Sequence, residues 1–132
     1  MKTKPTTKIK SKKSAKEDAL KDLVVLGMQD KKAQDIAVID LRSHKNAIAD
    51  FFVICSGTSN TQVESIADSI EDMVYKQTSE LPRHKEGQET GEWVLVDYIN
   101  VVAHVFQKSK RGHFALEELW GDAEIEYIKE LE

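Results

Sequence analysis

A glycine-serine turn at residues 56–60, reading SGTSN, is the part of this sequence best suited to phosphate chemistry. It follows an apolar run and precedes a helical pattern, so Gly57 could present free backbone N–H groups to a phosphate at the start of a helix. In one arrangement that uses such a turn, phosphoryl transfer depends on divalent metals held by two carboxylates one residue apart on a later strand. The nearest pair, Asp68 and Glu71, is three residues apart on the predicted helix and cannot take this role. Small residues around Gly57 are equally what the start of a capped helix requires.

The other reactive side chains show no pattern of a catalytic or metal site. The single cysteine, Cys55, lies in the apolar run 51–55 and is expected to be an inert core residue, because a nucleophilic thiol needs a histidine or a cationic neighbour. The four histidines do not have the sequence spacing of metal ligands. They are His44, His84, His104 and His113. We therefore expect no enzymatic activity, no metal and no cofactor.

Two helices and two strands are predicted between the lysine-rich start of the chain and Val74. Ser14 and Glu17 form a capping box for a first helix that ends near Lys32 and is weakened in its middle by Gly27. The near-continuous apolar runs 35–41 and 51–55 predict buried strands. A second capping box, Ser59 with Gln62, begins a long helix whose apolar positions recur at helical spacing: Val63, Ile66, Ala67, Ile70, Met73 and Val74.

A hairpin is predicted around Asn100, a residue type that tolerates tight turns. Its first strand places Trp93, Leu95 and Asp97 on one face, and Val94, Val96 and Tyr98 on the other, because side chains alternate along a strand. Its second strand covers residues 101–107. The mixed face has two interpretations: a docking surface with an aromatic anchor, or a core tryptophan with a solvated carboxylate at the strand end.

The remaining segments complete a mixed α and β pattern. Residues 81–90 contain Pro82 and Gly87 and predict a loop, with room for a short edge strand. Residues 114–120 predict a short helix, and residues 123–131 predict further helical turns with Ile125, Ile128 and Leu131 as the apolar side. The order of elements indicates an α+β or α/β fold with a mixed sheet of four to five strands covered by helices.

Charge divides the chain into a tail, residues 1–14, and one domain, residues 15–132. The tail holds six lysines and no acid; subtracting them from 19 basic and 23 acidic residues leaves 13 against 23, a formal charge of −10 for the domain. An acidic domain repels phosphate backbones and favours a basic protein partner. The tail is expected to be disordered, and either contacts RNA or aids solubility. No secretory signal or membrane span is predicted, so the expected location is the cytoplasm.

Five sequence blocks together resemble the ribosomal silencing factor family, RsfS, also called Iojap. They are KKAQDIAVIDL at 31–41, ADFFVICSGTSN at 49–60, EGQETGEWVLVDY at 86–98, NVVAHVF at 100–106 and LEELWGDA at 116–123. The resemblance covers residues 20–123 in the same order and spacing. It differs at Ile99 and Asn100, where the family usually has Gly-Asp.

The resemblance implies a nucleotidyltransferase-like fold without catalytic carboxylates, and a translation repressor. Such a factor binds the fourteenth protein of the large ribosomal subunit and prevents the small subunit from joining; in some lineages it also assists large-subunit maturation. The predicted partner-binding residues are Trp93, Leu95, Asp97, Tyr98, Glu86, Glu92 and His104. An exposed aromatic strand face is also compatible with a homodimer.

Two other functions remain open on the residues alone. The chain could be a nucleotidyltransferase-like protein that binds a nucleotide at Gly57, or an RNA-binding module that acts through its lysine tail.

Overall fold

The computed structural model describes residues 12–44, 46–114 and 116–129. Most of the predicted tail, residues 1–11, and the last predicted apolar position, Leu131, lie outside the described residues. In chain order the elements are α1 (Lys12–Asp30), β1 (Gln34–Asp40), β2 (Phe51–Gly57), α2 (Asn60–Thr78), β3 (His84–Glu86), β4 (Trp93–Asp97), β5 (Val101–Gln107), α3 (Lys108–Phe114), α4 (Leu116–Leu119) and β6 (Glu124–Tyr127).

One mixed sheet of six strands, in the order β3-β4-β5-β2-β1-β6, organises the described part of the chain. The central strands β2 and β5 are parallel, and all other neighbouring pairs are antiparallel. The predicted α+β class with a mixed sheet is confirmed, and the predicted hairpin is the pair β4–β5. The sheet has one strand more than the four to five expected because β6 forms where helical turns were predicted, whereas β3 is the short edge strand for which residues 81–90 left room.

Helices α1 and α2 cover one face of the sheet. The apolar stripe of α2 is buried, apart from Met73, which is partly exposed. Strand β2 is buried along its whole length, as its continuous apolar run predicted. The first-face core comprises, among others, Val24, Met28, Phe51, Val53, Cys55, Val63, Ile66, Ile70, Val94, Val96, Tyr98, Val101 and Val105.

The second face of the sheet has a separate core. Side chains of α4 and the segment after it, Leu116, Trp120 and Ala123, pack over the β1–β2 half of this face. The Trp120 ring meets the Phe52 ring edge-on, with centroids 6.2 Å apart. The other members include Ile39, Leu41, Ile54, Val102, Phe106, Trp93, Leu95 and Ile125.

The prediction of helical turns at 123–131 is wrong for the residues that the structure describes. Residues 124–127 form strand β6, which pairs with β1 so that Ile125 lies opposite Ile39. The backbone N–H of Ile128 donates to the carbonyl of Ile36 at 2.8 Å, which continues the pairing. The outer edge of β1 offers backbone hydrogen-bond partners to residues 124–127, which are far from it in the sequence. This long-range pairing outweighs the local three-residue spacing of apolar residues that suggested a helix.

The ends of the helices also differ from their predicted positions. Helix α1 begins at Lys12, before the predicted cap at Ser14, and Glu17 is 4% exposed. Helix α3 was not predicted and follows directly from β5. Within the described residues, no helix is both long enough and apolar enough to span a membrane.

Candidate protein-docking site

The β3–β4 end of the second sheet face carries most of the predicted site residues. Strand register places Glu86 opposite Leu95, and Leu95 opposite His104, so these side chains form one row across β3, β4 and β5. Trp93 lies opposite Phe106 in the next row. We call this set, Glu86, Trp93, Leu95, His104 and Phe106, the docking face.

The residues of the docking face differ in how far they are exposed to solvent. Glu86 is exposed, Trp93 and Leu95 are partly exposed, and His104 and Phe106 are buried at 3% and 1%. The outer three can reach a partner, while the inner two form the floor beneath them. Phe106 was not among the predicted residues, although the alternation Val102, His104, Phe106 on the second hairpin strand places it on this face.

The Trp93 indole is held by ring contacts and a hydrogen bond. Its ring stacks on Phe106 with centroids 5.1 Å apart and an interplanar angle of 23°. Its Nε1–H donates to His104 Nδ1 at 3.0 Å. The result is a rigid, partly exposed aromatic surface, which is the usual form of an anchor in a protein interface.

Histidine 104 is neutral at physiological pH. Burial lowers the pKa of His104 to about 4, although the negative charge of Asp97 opposes this shift. Its ring lies 4.6 Å from the Phe52 ring, which meets it edge-on. The docking face therefore has no positive charge at His104.

Asp97 is on the predicted face, but its carboxylate is engaged within the chain. It is 9% exposed; Arg83 Nη2 donates to Oδ2 at 2.7 Å, and the Ile99 backbone N–H donates to Oδ1 at 2.6 Å. Ile99 has a φ of 79°, a left-handed conformation that is unusual for a β-branched residue. Asp97 thus holds the β4–β5 turn, and Arg83 is a residue that the sequence did not single out.

Tyr98 and Glu92 do not join the docking face in this structure. Tyr98 is 6% exposed and packs in the first-face core, on the side covered by α1 and α2. Burial raises the pKa of its hydroxyl, with smaller contributions from the carboxylates of Glu71 and Glu80. Glu92 is exposed and its carbonyl accepts from the Gln107 N–H at 2.8 Å, at the end of the hairpin.

The turn at Gly57 is occupied by a side chain of the protein itself. Gln62 Oε1 accepts from the Thr58 backbone N–H at 2.6 Å and from its hydroxyl at 2.9 Å. Ser59 Oγ accepts from the Gln62 N–H at 3.1 Å, so the predicted cap is confirmed. A phosphate at this turn would have to displace Gln62, which disfavours the nucleotide-binding alternative.

The carboxylates of α2 hold a lysine. Lys85 of β3 forms ion pairs with Glu71 and with Asp68, the latter at 3.4 Å. Burial alone would lower the pKa of Lys85, but the hydrogen bond and charge of Glu71, together with Asp68, raise it overall. Within the described ranges, no group of three or more histidine, cysteine or acidic side chains is arranged to hold a metal ion.

Cys55 is a core residue, as the sequence predicted. It is fully buried in β2, and burial raises the pKa of its thiol, although the charge of Arg111 acts in the opposite direction. Arg111 is itself occupied, because it donates to Ser56 Oγ at 3.0 Å and pairs with Glu117 at 2.9 Å. A protonated, inaccessible thiol is a poor nucleophile.

Comparisons with known proteins agree on one family. The family described as "Ribosomal silencing factor during starvation" matches residues 12–132. A ribosomal silencing factor from Halalkalibacterium halodurans is 42% identical over 104 residues, covering 79% of this chain and 87% of the relative. A protein named mitochondrial assembly of ribosomal large subunit protein 1, from Mus musculus, is 30% identical and covers 75% of this chain and 44% of its own length.

A solved structure gives the same result for the fold. A crystal structure of a protein from Chromobacterium violaceum has a TM-score of 0.73 and 32% identity, and the match covers 79% of this chain and 85% of that one.

Proposed function

Because this chain belongs to the ribosomal silencing factor family, we propose that it represses translation by binding the large ribosomal subunit and preventing the small subunit from joining. The proposed contact on the large subunit is its fourteenth protein, as the resemblance implies. The name of the mouse relative, which refers to assembly of the large subunit, supports a partner on that subunit. A relative that is 42% identical comes from a bacterium, where ribosomes translate in the cytoplasm, and we propose the same location for this chain.

The observation that carries this proposal is the partly exposed Trp93 on a rigid floor. Its indole rests on Phe106 and is hydrogen-bonded to His104, and Leu95 is beside it on the same face. Interfaces concentrate binding energy in such aromatic anchors. Glu86 supplies an exposed carboxylate at the rim of the face.

Charge supports a basic protein as the partner. The formal charge of −10 on residues 15–132 would repel a phosphate backbone, whereas a cationic protein surface would be attracted. Complementary fields accelerate encounter and select orientation. This argument favours a ribosomal protein over ribosomal RNA as the main contact of the domain.

The size of the domain is sufficient for a steric mechanism. A domain of about 118 residues has a radius of gyration of about 13 to 14 Å and a diameter on the order of 30 Å. Subunit faces meet in atomic contact, so a body of this size on one face excludes the other subunit. The mechanism requires no reaction, and the family to which the chain belongs is named for regulation.

The test is co-sedimentation of the purified protein with isolated large subunits and with joined ribosomes. We expect the full chain to sediment with isolated large subunits, to be absent from joined ribosomes, and to reduce joining when added before the small subunit. Trp93→Ala should weaken binding by at least about 2 kcal/mol, roughly thirtyfold, because an anchor is lost.

A matched control is Tyr75→Ala. Tyr75 is also an exposed aromatic residue, 53% exposed, but it lies on α2 on the other side of the sheet. This variant should bind as the unchanged protein does. Equal binding by Trp93→Ala and Tyr75→Ala, with both variants folded by circular dichroism, would place the contact elsewhere.

A further inference from the structure

The hydrogen bond between Trp93 and His104 joins a partly exposed residue to a buried one. Trp93 Nε1 and His104 Nδ1 are 3.0 Å apart, and the two ring centroids are 5.8 Å apart with an interplanar angle of 32°. His104 is 3% exposed, so it cannot make extensive contact with a partner. Any effect of His104 on binding must therefore act through the residues above it.

The geometry of this bond fixes the tautomer of the histidine. An indole N–H is only a donor, so His104 Nδ1 must be the unprotonated acceptor, and the proton of the neutral ring is on Nε2. His104 Nε2 is buried and has no hydrogen-bond partner among the described residues. A buried donor without an acceptor destabilises a fold.

A substitution at position 104 can therefore change the stability of the fold and the binding of a partner by different amounts. A phenylalanine at position 104 would remove the unpaired Nε2–H and keep an aromatic ring beside Phe52, Trp93 and Phe106, but it would also remove the acceptor of the Trp93 indole N–H. These two changes have opposite effects on the stability of the fold, so their sum should be small. What the imidazole provides, and phenylalanine cannot, is an acceptor for the indole.

We propose that His104 is a positioning residue, which holds the Trp93 indole in the orientation that the docking face presents to its partner. The inference rests on the proposed function, in which Trp93 is an anchor. An indole fixed before binding loses less conformational entropy on association than a free one. His104 then contributes to affinity without touching the partner.

The test uses three variants of the full-length chain and purified large ribosomal subunits as the binding probe. His104→Phe removes the acceptor and keeps an aromatic ring; His104→Leu removes both. His104→Asn places an amide oxygen near the position of Nδ1 and should restore the bond. We expect His104→Phe and His104→Leu to bind roughly five- to tenfold more weakly, the range of one lost hydrogen bond. His104→Asn should remain within about threefold of the unchanged protein.

Stability and spectroscopy distinguish positioning from a general structural role. Urea unfolding of His104→Phe should show little change in the free energy of unfolding, although binding is weaker. The indole N–H resonance of Trp93 in a ¹H–¹⁵N spectrum should move in His104→Phe and move back in His104→Asn. In a Trp93→Phe background, which has no indole N–H, His104→Phe should have no further effect on affinity.

The outcomes separate this inference from the proposed function. If His104→Phe and His104→Leu bind as tightly as the unchanged protein while Trp93→Ala does not, the positioning role is wrong and the anchor stands. If affinity falls only in proportion to lost stability, His104 is a structural residue and the inference fails. If Trp93→Ala also binds normally, the proposed contact and the positioning role are both overturned.

Discussion

Replacing Gly27 with alanine tests how closely the two long helices approach. A Cβ atom at position 27 of α1 would lie 2.7 Å from Ile70 Cα and 3.2 Å from the Ser69 carbonyl oxygen. Carbon atoms in van der Waals contact are about 3.5 to 4.0 Å apart, and these neighbours are backbone atoms of α2 that cannot rotate away. The helices would have to separate by on the order of 1 Å.

Two effects of opposite sign decide the result. In an isolated helix, glycine to alanine gains about 1 kcal/mol from helix propensity. In this structure the added methyl overpacks the interface, which typically costs about 1 to 3 kcal/mol. Separation would also stretch the buried bond from Ser69 Oγ to the Gly27 carbonyl, now 2.7 Å and worth about 1 kcal/mol. We expect Gly27→Ala to destabilise the fold by about 1 to 3 kcal/mol.

The matched control is Gly112→Ala in α3. Outside its chain neighbours and its own helix backbone, a Cβ atom there would meet no atom of the described residues within 4 Å, so the gain in propensity should dominate. Urea unfolding followed by circular dichroism should show Gly112→Ala more stable by up to about 1 kcal/mol. On heating, the two variants should shift Tm in opposite directions, by about 3 to 5 °C for each kcal/mol. Stabilisation by both substitutions would refute the close contact of α1 with α2.

Three further outcomes are expected. As pH falls from about 6.5 to about 4, the unfolded chain binds a proton at His104 and the folded chain does not, because burial lowers the pKa of His104 to about 4. The free energy of unfolding of the unchanged protein should therefore fall by about 3 kcal/mol relative to that of His104→Phe, measured by urea unfolding across this pH range. Ile99→Asn should raise the free energy of unfolding by about 1 kcal/mol, because asparagine adopts the left-handed backbone at position 99 with less strain than a β-branched residue. An unchanged or lower free energy in urea unfolding would argue against that backbone conformation. A chain without residues 1–11 should still sediment with isolated large subunits through the docking face, and its affinity should depend less steeply on salt if the removed lysines contact ribosomal RNA.

Local signals in the sequence were sufficient for the elements that depend on near neighbours. The cap of α2 is formed by Ser59 and Gln62, three residues apart, and both are visible in the sequence. The continuous apolar run of β2 is fully buried, and alternation placed Trp93 and Leu95 on the same face. Each of these features is set within a few residues of chain.

Pairings across the sheet could not be predicted in the same way. The spacing of Ile125 and Ile128 fits a helix as well as a strand, and only the open edge of β1 makes it a strand. Likewise, Gly27 looked like a weak point within one helix, whereas the close approach of Ile70 gives the absence of a side chain a packing role. Local propensity is a weak guide wherever a distant segment supplies the contact.

Alternation along the strand predicted which side chains share one face of β4, but not how deeply the neighbouring residues are buried. Alternation could not show that Asp97 is engaged by Arg83, or that Trp93 donates to His104, because each contact joins residues that are distant in the sequence. The register of β4 with its neighbours decides them. The partner contact of the docking face remains a prediction of the proposed function.

The pairing of β1 with β6 has a consequence for synthesis of the chain. Ala37 lies opposite Tyr127, so the outer edge of β1 pairs with residues that are far downstream in the chain and are synthesised later. The residues of the docking face, which lie between Glu86 and Phe106 in the sequence, leave the ribosome earlier. A nascent chain can therefore assemble the β4–β5 hairpin first, while the backbone groups at the edge of β1 must stay solvated until β6 emerges from the exit tunnel.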